Sequence, residues 1–138
     1  MKFKPYLSFA GDCQEAFSYY EKHLGGKIKG TFNWKDTPAA QHVPANWGDK
    51  VMHSTIAIGD QELLGADVPP DQYKPSQGFH VAIDLKDVGT AETVFKALSE
   101  KGTVQMPIGE TFWAQRFGMV VDQFGIPWMV NCEKSHQN

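Results

Sequence analysis

The chain has 138 residues, 41% of them hydrophobic and 21% charged, and a formal net charge of −3. That is the length of one ordinary domain, with enough apolar residues to bury a core. The slight acidic balance lacks the clustered basic footprint of a domain that grips nucleic acid or an anionic membrane surface, and Lys27, Lys29, Lys96 and Lys101 read as solvated faces.

The first strand is expected over residues 3–9. Asp12 then serves as N-cap for a helix over residues 13–24, whose Ala16, Phe17, Tyr20 and Leu24 make one apolar stripe. Gly25-Gly26 ends the helix, and a strand follows over residues 27–34. Residues 35–50, rich in proline, alanine and polar groups, read as a loop excursion with room for a helical turn. Strands over 51–58 and 61–66 are joined by a Gly59-Asp60 hairpin turn, and residues 67–78, with three prolines, form a connector.

The pattern then repeats. A strand over 79–85 leads to Asp87 as N-cap and a helix over 88–100, with Ala91, Val94, Phe95 and Leu98 on one face and Lys101-Gly102 closing it. Strands follow over 103–108, 112–122 and 127–132. The order βαβββ therefore occurs twice, and Asp12, Ala16 and Tyr20 answer to Asp87, Ala91 and Phe95. The expected fold is a single α+β domain over 1–138, an internal duplication of modules 1–67 and 79–134, whose curved mixed sheets surround a central cleft.

Met1 is not followed by a signal-peptide-like apolar region, and no apolar run has the length of a membrane span. Cys13 and Cys132 are far apart and lack zinc-site spacing, the usage of a reduced cytoplasmic protein. Cys13, next to Asp12 at a helix N-terminus, reads either as a reactive thiol or as a small buried residue.

Particular segments carry a family resemblance: Pro5-Tyr6-Leu7-Ser8-Phe9-Ala10-Gly11, Ala16-Phe17-Ser18-Tyr19-Tyr20, Met52-His53, and above all Glu110-Thr111-Phe112-Trp113-Ala114 running into Phe117-Gly118 and then Asp122-Gln123-Phe124-Gly125-Ile126-Pro127-Trp128-Met129. On these the chain resembles the vicinal oxygen chelate superfamily of glyoxalase I, extradiol dioxygenases and bleomycin resistance proteins, and is most similar to its PhnB-like branch. The resemblance implies a divalent metal held by four side chains, two from the first and last strands of each module, usually His, Glu or Gln. Such a cation polarises two vicinal oxygens and stabilises an enediolate.

The matching positions are Pro5 and His80, each seven residues before its helix-capping aspartate, then Met129, four after Gly125, and Leu64 or Gly65, with Glu62 close by. Of these His80 alone is a ligand of the usual kind, since a thioether is a poor ligand for Zn, Ni, Fe or Mn. No cofactor is therefore expected, and a divalent metal is disfavoured because a stable site wants three or more protein ligands.

The side chains expected to bind a ligand are His80, His53, Trp113, Arg116, Met129, Asn131 and Tyr6, with no metal ligand assigned. His80 shares the side of Ala82 and reads as a general acid/base or hydrogen-bond donor, or as a polar core histidine. His53 shares a face with Thr55 and Ala57 and either lines the cleft or caps its strand. Arg116 offers a planar fork to a carboxylate or phosphate, or pairs with Glu110. Asn131 presents an amide on the face of Met129, while Trp113, Trp128, Phe117 and Tyr6 are pocket walls or core.

Serine-nucleophile, P-loop and G-x-G-x-x-G motifs are absent, so the methyltransferase label common in the PhnB-like branch has no cofactor-binding sequence behind it. Two functions stand: a metal-independent small-molecule binding protein of the bleomycin resistance type, or a glyoxalase-like lyase or dioxygenase whose atypical metal site includes His80. The resemblance also implies a homodimer. The expected partner is a small-molecule ligand, with neither nucleic acid nor membrane involved.

Overall fold

A computed structural model of the protein describes residues 1–134, and the chain parts between Lys74 and Pro75 into two units. In the first, β1 (Tyr6–Phe9), α1 (Cys13–Leu24), β2 (Lys27–Asn33), β3 (Val51–Ile58) and β4 (Gln61–Asp67) make a four-stranded sheet of order β1-β4-β3-β2 with one helix on it. β1 runs parallel to β4 and the other pairs are antiparallel. In the second, β5 (Val81–Asp84), α2 (Val88–Ser99), β6 (Thr103–Gly109), β7 (Ala114–Val121) and β8 (Pro127–Glu133) repeat that plan in the order β5-β8-β7-β6, with β5 parallel to β8. Two open mixed sheets with few helices are the expected α+β class, and each unit has the expected βαβββ order.

The helices form where the apolar stripes demand it. Ala16, Phe17 and Tyr20 of α1 are fully buried, and the Phe17 ring meets Phe9 edge-on at 5.9 Å. Burying one such ring stabilises the unit by roughly 1.5–3 kcal/mol. Gly65 lets α1 come this close, because a Cβ there would lie 2.6 Å from the Phe17 ring. In the second unit Ala91, Val94, Phe95 and Leu98 are buried with Val120, Trp128 and Val130, and Gly118 makes the same allowance for Phe95, again at 2.6 Å.

Three strands start later than expected. Phe3 and Lys4 precede β1, Phe79 and His80 precede β5, and Phe112 and Trp113 precede β7. Their aromatic content reads as strand, yet Phe3 and Phe112 are 93% and 89% exposed and lack a pairing partner strand. The 35–50 loop winds through three 3-10 turns, Trp34–Asp36, Pro38–His42 and Ala45–Trp47, and buries Trp47.

Helix α1 corrects one sequence expectation. Asp12 occupies the N-cap position, but its side chain makes no capping hydrogen bond. Asp67, from the end of β4, supplies the acceptor instead: its Oδ1 takes the backbone N–H groups of Gly11 and Cys13 at 3.0 and 2.9 Å, and its Oδ2 takes that of Val51 at 2.9 Å. Asp87 does cap α2, through Thr90 N–H at 2.8 Å.

The closing Asp-x-x-Gly turn has its own internal logic. Asp122 is buried, and its Oδ1 accepts from the N–H groups of Phe124 and Ile126, both at 2.9 Å. Its Oδ2 accepts from the Trp128 indole at 2.8 Å, and Gly125 takes the left-handed conformation, φ 87°, that closes the turn. The segment that carries the family resemblance is thus a buried carboxylate satisfied by its own hairpin. Among the described residues no helix is long and apolar enough to cross a membrane.

Candidate functional site

Strand alternation sorts the first sheet into two faces. Leu7, Phe9, Ile56, Leu63 and Gly65 are buried on the α1 side, while Tyr6, His53, Thr55, Glu62 and Leu64 lie on the other. On this open face is a shallow depression of about 360 Å³ lined by Lys4, Lys29, Gly30, Phe32, His53, Thr55, Glu62 and Leu64. Phe32, which pairs with His53 across β2 and β3, and Leu64 give it apolar surface. His53 Nε2 lies 3.5 Å from Thr55 Oγ1, and its ring centroid is 6.1 Å from that of Tyr6.

The depression is electrostatically lopsided. Lys4 Nζ sits 2.7 Å from Glu62 Oε1 and Lys29 Nζ 3.4 Å from Oε2, so two ammonium groups flank one carboxylate. The hydrogen bond from Lys4 holds the Glu62 carboxyl below the usual carboxylate range, with partial desolvation opposing it and Lys29 adding to it. A β-bulge between Ile28 and Gly30 takes Lys29 out of the regular pairing, the device by which a bulge re-aims a side chain.

In the second unit the open face carries Ala82, Met129, Asn131, Met119, Phe117 and Met106. The register places Met106, Met119 and Met129 side by side across β6, β7 and β8. His80 Nε2 lies 2.8 Å from Gln105 Oε1, a bond between groups from opposite edges of this sheet. Asn131 donates from Nδ2 to Asp84 Oδ1 at 3.1 Å, while its own Oδ1 is a buried acceptor with no protein partner among the described residues.

The expected ligand-binding residues therefore fall into four places. Tyr6 and His53 share the open face of the first sheet. His80, Met129 and Asn131 share that of the second. Arg116 is elsewhere: it pairs in register with buried Cys132, and its Nε donates to Glu92 Oε1 of α2 at 2.8 Å. The expected alternative pairing with Glu110 is replaced by this one, and Glu110 meets Lys134 at 3.5 Å. Trp113 is 44% exposed just ahead of β7, its ring edge-on to Phe117 at 5.2 Å.

The donor set does not fit the divalent metal that the resemblance implies. Counting back from the helix caps sets Pro5 opposite His80, but alternation turns Pro5 away from the open face, where its carbonyl accepts from Leu64 N–H at 2.9 Å. Lys4 stands on the open side instead and reaches Glu62. An ammonium repels the cation that a ligand would hold, and both Glu62 oxygens already face lysines. Leu64 and Met129 offer no hard donor, and no group of three or more His, Cys, Asp or Glu side chains among the described residues is placed to hold a metal ion.

Sequence reasoning missed Lys4, Phe32 and Gln105, and read Lys29 as a solvated face. The one usable signal was parity: Lys4 and Tyr6 lie two residues apart and so share a face.

Comparison with known proteins agrees with this architecture. The profile of the Glyoxalase/Bleomycin resistance protein/Dioxygenase superfamily matches residues 2–130. The chain belongs to this superfamily. Protein YjdN of Escherichia coli (strain K12) is 32% identical over 142 residues, covering 97% of both chains. Among solved structures of the superfamily fold, protein PA1353 from Pseudomonas aeruginosa is 43% identical, with a TM-score of 0.89 over 98% of this chain and 99% of that one. The PhnB protein from Bacillus cereus, at 20% identity, shares the fold with a TM-score of 0.80 over 96% and 99% of the two chains.

Proposed function

We propose that this superfamily member is a metal-independent small-molecule binding protein of the PhnB-like, bleomycin resistance type. The observation that carries the reading is the Lys4–Glu62–Lys29 cluster on the open face of the first sheet. Where a metal-dependent relative would gather anionic or neutral donors, this chain sets two ammonium groups around one carboxylate, and at the matching place in the second unit it has a thioether, Met129. Each open face, taken by itself, is suited to an organic molecule: the first offers apolar surface from Phe32 and Leu64 with hydrogen-bonding groups from His53 and Thr55, and the second offers a row of adaptable methionines.

The same reading includes a homodimer in a reducing compartment. Exposed Phe3, Phe79 and Phe112 supply apolar surface of the kind an interface covers, and both cysteines are buried and free. The test is a thermal-shift screen of small aromatic compounds with excess EDTA throughout. Stabilisation that grows with compound concentration and is unchanged by EDTA is the expected result. Stabilisation that appears only after a divalent metal is restored overturns the proposal in favour of an atypical metal site.

A further inference from the structure

We infer that the depression on the first sheet takes an amphipathic monoanion: an apolar, preferably flat body ending in a single carboxylate. The inference rests on the ligand-binding reading above and names the chemical class for one of its sites. Three observations converge on it. The first is charge. Lys4 and Lys29 against Glu62 leave one uncompensated positive charge in the depression, enough to match a monoanion and not a dianion.

The second is the unequal hold on Glu62. Lys4 binds it closely at 2.7 Å, whereas Lys29 stands off at 3.4 Å with its side chain 61% exposed, so its ammonium keeps donors for an incoming carboxylate. The third is space and surface. Gly30 lines the same depression, and a Cβ added there would meet nothing within 4 Å, so the floor over this residue is open. Phe32, 57% exposed, and Leu64 then offer an apolar surface for the rest of the molecule. Glu62 acts as an internal competitor, since its carboxylate occupies the lysines until a ligand carboxylate joins them.

The test uses the full-length protein and three isosteric probes: naphthalene-2-carboxylate, naphthalene-2-carboxamide and 2-naphthylmethylammonium, with affinities measured by calorimetry in low salt. The carboxylate is expected to bind about five- to tenfold more tightly than the amide, and the ammonium most weakly, because only surface-type charge pairing separates them. Lys29→Gln should bring carboxylate and amide together. Glu62→Gln should strengthen the carboxylate several-fold and leave the amide unchanged, a gain that a merely destabilised variant would not give.

Equal affinity for carboxylate and amide, a preference for the ammonium, or no response to Glu62→Gln would overturn the anion assignment while leaving the binding reading in place. Failure of all three probes to bind at millimolar concentration would remove the depression as a binding site, and with it the first-sheet half of that reading.

Discussion

Asp67, the last residue of β4, accepts the backbone N–H of Cys13 at 2.9 Å across 54 residues of chain. Through the Gly11 and Val51 N–H groups the same carboxylate ties the start of α1 to the start of β3, and its backbone carbonyl takes the Trp34 indole at 3.1 Å. It is 1% exposed. Removing it leaves buried amides without acceptors beside a helix N-terminus that favours negative charge. Asp67→Ala is expected to cost about 3 kcal/mol and Asp67→Asn about 2 kcal/mol, since the amide keeps one acceptor oxygen but turns a donor toward another N–H. Urea unfolding followed by circular dichroism would check both, and an Asp67→Ala variant as stable as the parent would contradict the assignment.

The buried setting beside this carboxylate governs the chemistry of Cys13. Burial pushes its thiol well up from the ordinary cysteine range, and the charges of Asp67 and Asp12 push it further. The reactive reading of this helix-start cysteine is therefore not the one the surroundings favour. A thiol reagent at pH 8 should label neither Cys13 nor Cys132 in the folded protein, since both are buried, and should label both after unfolding. A fast-reacting thiol in the native protein would contradict this.

The raised thiol also gives a pH dependence with a definite sign. Above the ordinary thiol pKa the unfolded chain releases a proton that folded Cys13 retains, so the unfolded state binds fewer protons and stability falls as pH rises. The contribution is fully present below the unfolded pKa and is lost progressively in alkali. Cys13→Ala should flatten the decline in melting temperature from pH 8 to pH 10. An unchanged decline would assign it to other groups.

Close helix seating depends on Gly65 and Gly118. Gly65→Ala places a methyl 2.6 Å from Phe17, and Gly118→Ala places one 2.6 Å from Phe95 and 3.0 Å from the backbone of Ile108. Overpacking of this kind costs about 1–3 kcal/mol. Gly118→Ala is expected to be the worse of the two because backbone yields less than a ring. Melting temperatures of the two variants would show the order, and two parent-like melts would refute it.

What was legible in the sequence was local. The stripes of Ala16, Phe17 and Tyr20 and of Ala91, Val94, Phe95 and Leu98 fix each helix through its own periodicity, and the alternation over Val51–Ile58 matches the observed strand end for end. The Asp67 contact was not legible, because its partners are far away in sequence and an aspartate before a proline-rich connector looks like a turn residue. Lys29 is exposed, as a solvated face should be, but its place beside Glu62 was not legible for a related reason. Its bulge and its approach to Glu62 exist only once β2, β3 and β4 are aligned. Counting seven back from each cap reached His80 on the open face of the second sheet but Pro5 on the covered side of the first, because equal spacing from a helix does not guarantee the same strand parity; Lys4 and Tyr6, on either side of Pro5, are the ones on the open face.

Our proposal requires this superfamily fold to bind its ligand without the usual divalent metal. The decisive experiment is elemental analysis of protein purified without chelator, with a His80→Ala variant in parallel. Only substoichiometric metal is expected in both preparations. Stoichiometric zinc, nickel, manganese or iron in the parent, lost on replacing His80, would contradict it.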